Sequence, residues 1–185
     1  LEKFHLKNNP SENSKKDLYE RNKSVFFTEL KNIRFAEITP EKISGSKEYN
    51  ESFFKQLDNI ENSLLDGQSF DETLQNNRLE VVLIKKINAK KEYVNKDKVK
   101  NISDKLFNKI YNLSSINTPE IINLENKYYL AEIKDEERKN KPMNDPEVLE
   151  ALNAQLSFKK KIESNTSLAK DISLGSLDGE NYKKF

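Results

Sequence analysis

Apolar positions along this chain fall into short periodic stretches, and their period switches between that of a helix and that of a strand. The clearest helical stretch has Phe53, Leu57, Ile60 and Leu64 at i, i+4, i+7 and i+11, with Phe54 and Leu65 widening the stripe. Gly67 can adopt the left-handed conformation that stops a helix, and Ser69-Phe70-Asp71-Glu72 has the form of a capping box opening a second, short helix through Leu74. Upstream, residues 11–27 predict a polar helix with Leu18, Asn22, Val25 and Phe26 at helical spacing. Residues 33–39 predict a strand closed by Pro40, followed by a loop over 41–49 that contains Gly45.

Residues 79–87 (LEVVLIKKI) are the most strand-like run in the chain. Leu79, Val81 and Leu83 fall on one side, Val82 and Ile84 on the other, which predicts a central strand covered on both faces. On that reading Val81 and Leu83 share one core with Phe53, Leu57, Ile60 and Leu64. The charged stretch 88–98 reads as a solvated loop, and Ile102, Leu106 and Ile110 mark a further helix with Ser103 or Asn101 as its cap. Residues 120–124 and 128–134 predict two short strands joined through Glu125-Asn126-Lys127 as a hairpin. A charged linker is expected over 135–144. Asp145 as N-cap and Pro146 at the first helical position then open a long helix with Val148, Leu149, Leu152, Leu156 and Ile162 on its apolar face.

The resulting order predicts an α+β fold: a small, mostly antiparallel four-stranded sheet with packed helices, flanked by an N-terminal and a long C-terminal helix. Three segments follow, an N-terminal helical segment over 1–30, the sheet domain over 31–134, and a linker with the long helix and the start of a further truncated unit over 135–185.

Composition narrows the function classes. Hydrophobic residues make up 35% and charged residues 34%, which allows only a modest core. The net charge of +1 lacks the basic excess expected of a nucleic-acid binder. The absence of cysteine removes disulfides, thiol catalysis and zinc–thiolate sites, and fits a periplasm and a cytosol equally. No apolar run approaches the roughly 18–20 residues of a spanning helix. The chain reads as a fragment of a longer protein, so that an anchor or export signal would lie outside it. His5, the one histidine, reads as a terminal surface residue. No phosphate loop, metal-ligand spacing or nucleophile motif occurs, so neither a cofactor nor a metal is expected.

Several segments, in this order, resemble a known family. Leu18-Tyr19-Glu20-Arg21-Asn22-Lys23 with Phe26 and Phe27 is similar to a "YxxNKxxF" helix end, and Ile33-Arg34-Phe35-Ala36-Glu37-Ile38 to a "RASHIL" first strand. Leu64-Leu65-Asp66-Gly67-Gln68-Ser69-Phe70-Asp71 is similar to an "LKAGADFAEL" junction, and 121–133 to a "GPVxTxxGYHIIKV" hairpin. The helix from Asp145 resembles a "PLDEVRxxI" helix, and 172–185 the beginning of an "LxAGxSLAxLA" unit. Together these resemble the parvulin-type peptidyl-prolyl cis-trans isomerase module of PpiD/SurA-like periplasmic folding factors.

The resemblance implies an apolar pocket for a proline ring and a polar cluster around the twisting amide, with one histidine on the first strand and one on the last. Glu37 and Tyr129 occupy those two positions here. Read from their own surroundings in the sequence, Glu37 is a solvent-facing strand residue and Tyr129 a packed aromatic. The family's "GGDLGWF" pocket loop has no counterpart, since Asn76-Asn77 is followed almost at once by Leu79 and the glycines stand at 45, 67, 175 and 179. Ile102 and Leu106 hold the places of the pocket methionine and phenylalanine, and so are the expected binding residues.

The resemblance further implies unfolded or nascent secreted and outer-membrane polypeptides as partners, with no nucleic acid. It implies a parent protein anchored on the periplasmic side of the inner membrane. The terminal helices carry more charge than apolar surface, so the long helix from Asp145 is expected to project from the domain or to pack against another copy. Three readings stay open: a binding module with little or no isomerase activity, a divergent but active isomerase, and a structural spacer.

Overall fold

A computed structural model describes residues 10–175. The sheet grows from β1 (Phe27–Ile38), which is longer than the predicted strand and alternates its side chains between two cores. After it come α2 (Pro40–Ser44), α3 (Glu51–Leu65), α4 (Phe70–Asn77), β2 (Val82–Ile87), α5 (Asp104–Tyr111), β3 (Glu120–Leu124) and β4 (Lys127–Asn140). The strand order is β2-β1-β4-β3, an antiparallel four-stranded sheet. Ile33 and Phe35 of β1 join Ile84 and Ile87 of β2 and Leu106, Phe107 and Ile110 of α5 in one apolar cluster. The intervening Ala36 and Ile38 join Leu130 of β4 with Phe53, Leu57, Phe70 and Leu79 in a second. The α+β class predicted from the sequence is therefore present, with apolar packing on both faces of the sheet.

Local chemistry fixes the boundaries. Asn50 Oδ1 accepts the Phe53 N–H at 3.0 Å to cap α3. The predicted capping box is formed at α4, where Ser69 Oγ accepts the Glu72 N–H at 3.3 Å and Glu72 accepts the Ser69 N–H at 2.9 Å. Ser103 caps α5. The hairpin turn consists of Glu125 and Asn126 alone, both at positive φ (53° and 63°), with Lys127 already paired to Leu124. Two successive left-handed residues give the turn whose twist matches the flanking strands.

The structure corrects the sequence reading in several places. β2 is an edge strand, because its only neighbour is β1. Val81 and Leu83 are 48% and 43% exposed rather than part of the core. Leu79, assigned to the same strand face, enters the α3/α4 cluster before β2 begins. Ile84 and Ile87 share a face despite their odd spacing, since β2 carries an extra residue opposite Asn32. Lys86 sits there at φ 52° and donates its N–H to Asn32 Oδ1 at 2.7 Å, as a β-bulge requires.

Pro40 does more than close β1, for it occupies the first turn of α2, which ends at Gly45 with φ 68°. The expected loop over 41–49 thus begins as helix. The expected linker over 135–144 is strand as far as Asn140. Its charged side chains face β1 across the ladder, with Lys31 Nζ 3.9 Å from Glu136 and Arg138 3.7 Å from Glu29. Backbone pairing thus overrides a composition typical of linkers.

The chain divides into two compact units, Thr28–Lys139 and a unit of Leu1–Phe27 with Asn140–Phe185. In the second, α1 (Glu12–Asn22) and α6 (Pro146–Ser173) pack through Tyr19, Val148 and Leu152. The Tyr19 hydroxyl donates to the Lys141 carbonyl at 2.7 Å, and its ring stacks on Phe26 at 6.0 Å. Asp145 and Pro146 start α6 as predicted. The first helix is shorter than predicted, passing into a 3-10 turn at Lys23–Val25, after which the chain bends at Phe26 and Phe27 opens β1. Of the apolar face expected on α6, Val148 and Leu152 are buried while Ile162 is exposed. The unit predicted to begin near 172 and the surface residue His5 lie, wholly or mostly, outside the described residues.

Candidate functional site

Strand alternation decides which side chains meet. Ile33, Phe35 and Glu37 share one face of β1, and Tyr129, Ala131 and Ile133 share the corresponding face of β4. This is the face covered by α5. Tyr129 meets the Phe35 ring edge-on, with centroids 6.4 Å apart and an interplanar angle of 71°. Glu37 is exposed and faces Lys127, whose Nζ lies 3.5 Å from its Oε1. The two-residue turn starts β4 at Lys127, two residues before Tyr129 and on the same side of the strand.

Glu37, Lys127 and Tyr129 thus form one small polar group. The Glu37 charge holds the Lys127 ammonium above its ordinary pKa. Burial, and then the Glu37 charge, push the Tyr129 phenol up, with Lys127 acting in the opposite sense. Tyr129 is therefore protonated at neutral pH and available as a hydrogen-bond donor, not as a base. Glu37 can accept hydrogen bonds, with a cation rather than an imidazole as its companion. The partner of Glu37 was not evident from sequence; a lysine opening the second strand of a tight hairpin was the available signal.

Ile102 and Leu106 lie beneath this face at 6% and 4% exposure, within the cluster that includes Phe35 and Ile33. They are core residues, and the partly exposed rim of the same cluster is made by Val82, Tyr93, Leu113, Leu124 and Tyr129. All four residues singled out from the sequence therefore belong to one side of the sheet. No pocket loop separates α4 from β2: Arg78 ends the helix at φ 51°, and β2 starts at Val82. A shallow polar depression lies at the α3–α4 turn, lined by Ser63, Asp66, Gly67, Gln68, Glu72 and Asn76, and includes none of these residues.

The opposite face carries a second charged group that the sequence did not announce. Arg34 Nε lies 2.5 Å from Glu132, whose side chain is 3% exposed, and its two other nitrogens reach Asp71 at 2.7 and 3.1 Å. The guanidinium also sits 4.3 Å from the centroid of Phe70. Burial opposes the Arg34 charge, but the bonds to Asp71 and Glu132 more than offset it and raise its pKa. Every polar group in this constellation has a partner, which marks it as structural. A charged residue inside each of the apolar runs Ile33-Arg34-Phe35 and Ala131-Glu132-Ile133 was the signal.

Among the described residues, no group of histidine, cysteine or carboxylate side chains is arranged to hold a metal, and no helix is long and apolar enough to cross a membrane. Comparison of the chain with family models, curated proteins and solved structures gave no match.

Proposed function

We propose that this chain is a divergent parvulin-like module of a periplasmic folding factor, binding unfolded secreted or outer-membrane polypeptides with little or no prolyl-isomerase activity. The observation that carries the reading is the convergence of Glu37 and Tyr129 on one sheet face beside α5. These are the positions at which the resemblance calls for histidines. The succession of helices after β1, then β2, α5 and a closing hairpin supports the same resemblance.

Turning an X–Pro bond takes tens to hundreds of seconds without catalysis, and speeding it requires groups preorganised around the twisting amide and shielded from water. Glu37 is exposed and held to a cation, Tyr129 keeps its proton, and the pocket loop is missing. Binding is less demanding. A partly exposed apolar rim of Val82, Tyr93, Leu113, Leu124 and Tyr129 suffices to hold apolar segments of an unfolded chain. The divergent-isomerase reading gains from one observation only, the gathering of Glu37, Lys127 and Tyr129. The periplasmic location and the anchored parent follow from the resemblance.

Titration with a permanently unfolded, apolar polypeptide tests the binding arm. Saturable binding weakened by Tyr129→Ala is expected, with circular dichroism showing that the variant, which also loses its packing on Phe35, remains folded under the assay conditions. Absence of binding at high concentration would leave the structural spacer.

A further inference from the structure

β2 lies at the edge of the sheet, yet its sequence is that of an inner strand. The run Val81-Val82-Leu83-Ile84 is apolar throughout, and Val81 and Leu83 are half-exposed. Among the described residues, no hydrogen bond outside the pairing with β1 reaches the backbone of residues 81–85. Alternate N–H and C=O groups of this strand therefore face outward as a template for another strand. The bulge at Lys85-Lys86 interrupts the edge only at its C-terminal end.

We propose that β2 pairs antiparallel with β2 of a second copy of this chain, about a two-fold axis at Leu83. The strand is self-complementary in that register. Leu83 faces Leu83 and Val82 faces Ile84. In the two residues just ahead of β2, Val81 lies along the aliphatic stem of Lys85 while Glu80 comes against Lys86 of the other copy. The two-fold axis repeats this contact at both ends. A parallel arrangement would instead set glutamate on glutamate and lysine on lysine, so charge selects the direction as well as the register. Glu80 and Lys86 now hold only surface partners, Lys42 at 3.1 Å and Glu137 at 3.3 Å, which are weak and exchangeable.

The joined strands would make one continuous sheet and cover the exposed Val81 and Leu83 side chains in part. A strand this short buries far less than the roughly 1,200–2,000 Å² of a stable interface. The dimer is accordingly weak, with a Kd on the order of micromolar or above. This pairing stands independently of the client-binding reading.

The test is sedimentation velocity of the whole chain over a concentration series reaching about 1 mM, well above such a Kd. Wild type should associate reversibly. Leu83→Lys, at an exposed position, should abolish association while leaving the circular dichroism and urea midpoint close to wild type. Glu80→Lys alone and Lys85→Glu/Lys86→Glu alone should each weaken self-association by roughly tenfold or more, and an equimolar mixture of the two should restore it. The proposal is overturned if wild type stays monomeric throughout or if association survives Leu83→Lys. Failure of the mixture to restore association, or capture of an unfolded polypeptide by β2 in a monomeric protein, overturns it equally.

Discussion

Replacing Arg34 by methionine removes a cation from a site where an anion cannot follow it into water. Glu132 is 2% exposed, and Arg34 supplies its 2.5 Å ion pair from the neighbouring strand. Loss of one partner from a buried pair costs about 3–5 kcal/mol, because the remaining charge is left uncompensated. Part of the cost is packing, since the guanidinium covers Phe70 at 4.3 Å. Asp71 differs, because its side chain is 65% exposed and its pair with Arg34 should be worth about 0–1 kcal/mol. The double variant Arg34→Met/Glu132→Leu, which removes both charges, should recover most of the loss. Set against a typical domain stability of about 5–15 kcal/mol, the single change at Arg34 consumes a large part. Urea unfolding followed by far-ultraviolet circular dichroism measures wild type and the two variants, with an unchanged m-value confirming that the denatured states are comparable. A loss below about 1 kcal/mol for Arg34→Met, or a double variant no better than the single, would refute the reasoning.

Leu57→Ala should cost about 2–5 kcal/mol because the side chain lies in the α3/α4 cluster, whereas Leu83→Ala at the exposed edge should cost under about 1 kcal/mol; equal losses in urea unfolding would contradict the assignment of β2 to an edge. Ser69→Ala breaks the capping box of α4 and should cost about 1 kcal/mol by the same assay, with no loss implying that the box is not populated in solution. Burial, followed by the charges of Glu29 and Glu136, pushes the Tyr111 phenol up to about 12. The folded state therefore favours the protonated form, and its contribution is complete below the unfolded value of about 10 and lost as pH rises through about 12. Stability should fall more steeply in wild type than in Tyr111→Phe across that window, and parallel curves would deny the shift.

The sequence was most legible where local chemistry and burial agree. The α3 stripe of Phe53, Leu57 and Ile60 is buried as its spacing demands, and Ser69 to Glu72 and Asp145-Pro146 start helices where they stand. The hairpin about Glu125-Asn126 was equally plain. The edge position of β2 was not, because an apolar run on both faces is the usual mark of an inner strand and nothing local tells how many neighbours a strand has. β4 was cut short at 134 because the charges of residues 135–140 outweighed a pairing that only the long β1 reveals. At the site, Glu37 and Tyr129 were named only through the family resemblance, and it takes the pairing of β1 with β4 to bring them to one face. The position of Lys127 beside Glu37 depends on the turn length. The depth of Ile102 and Leu106 depends on how α5 seats against the sheet, and neither quantity can be read one residue at a time.

Exchange spectroscopy on a proline-containing peptide, with and without the whole chain, tests most directly whether this module binds without turning X–Pro bonds. Wild type should leave the cis–trans interconversion at its uncatalysed rate of roughly tens to hundreds of seconds while an unfolded polypeptide shifts the amide signals around Phe35, Leu124 and Tyr129. Efficient acceleration that disappears in Glu37→Ala or Tyr129→Phe would contradict the account and make the group at Glu37, Lys127 and Tyr129 a catalytic site.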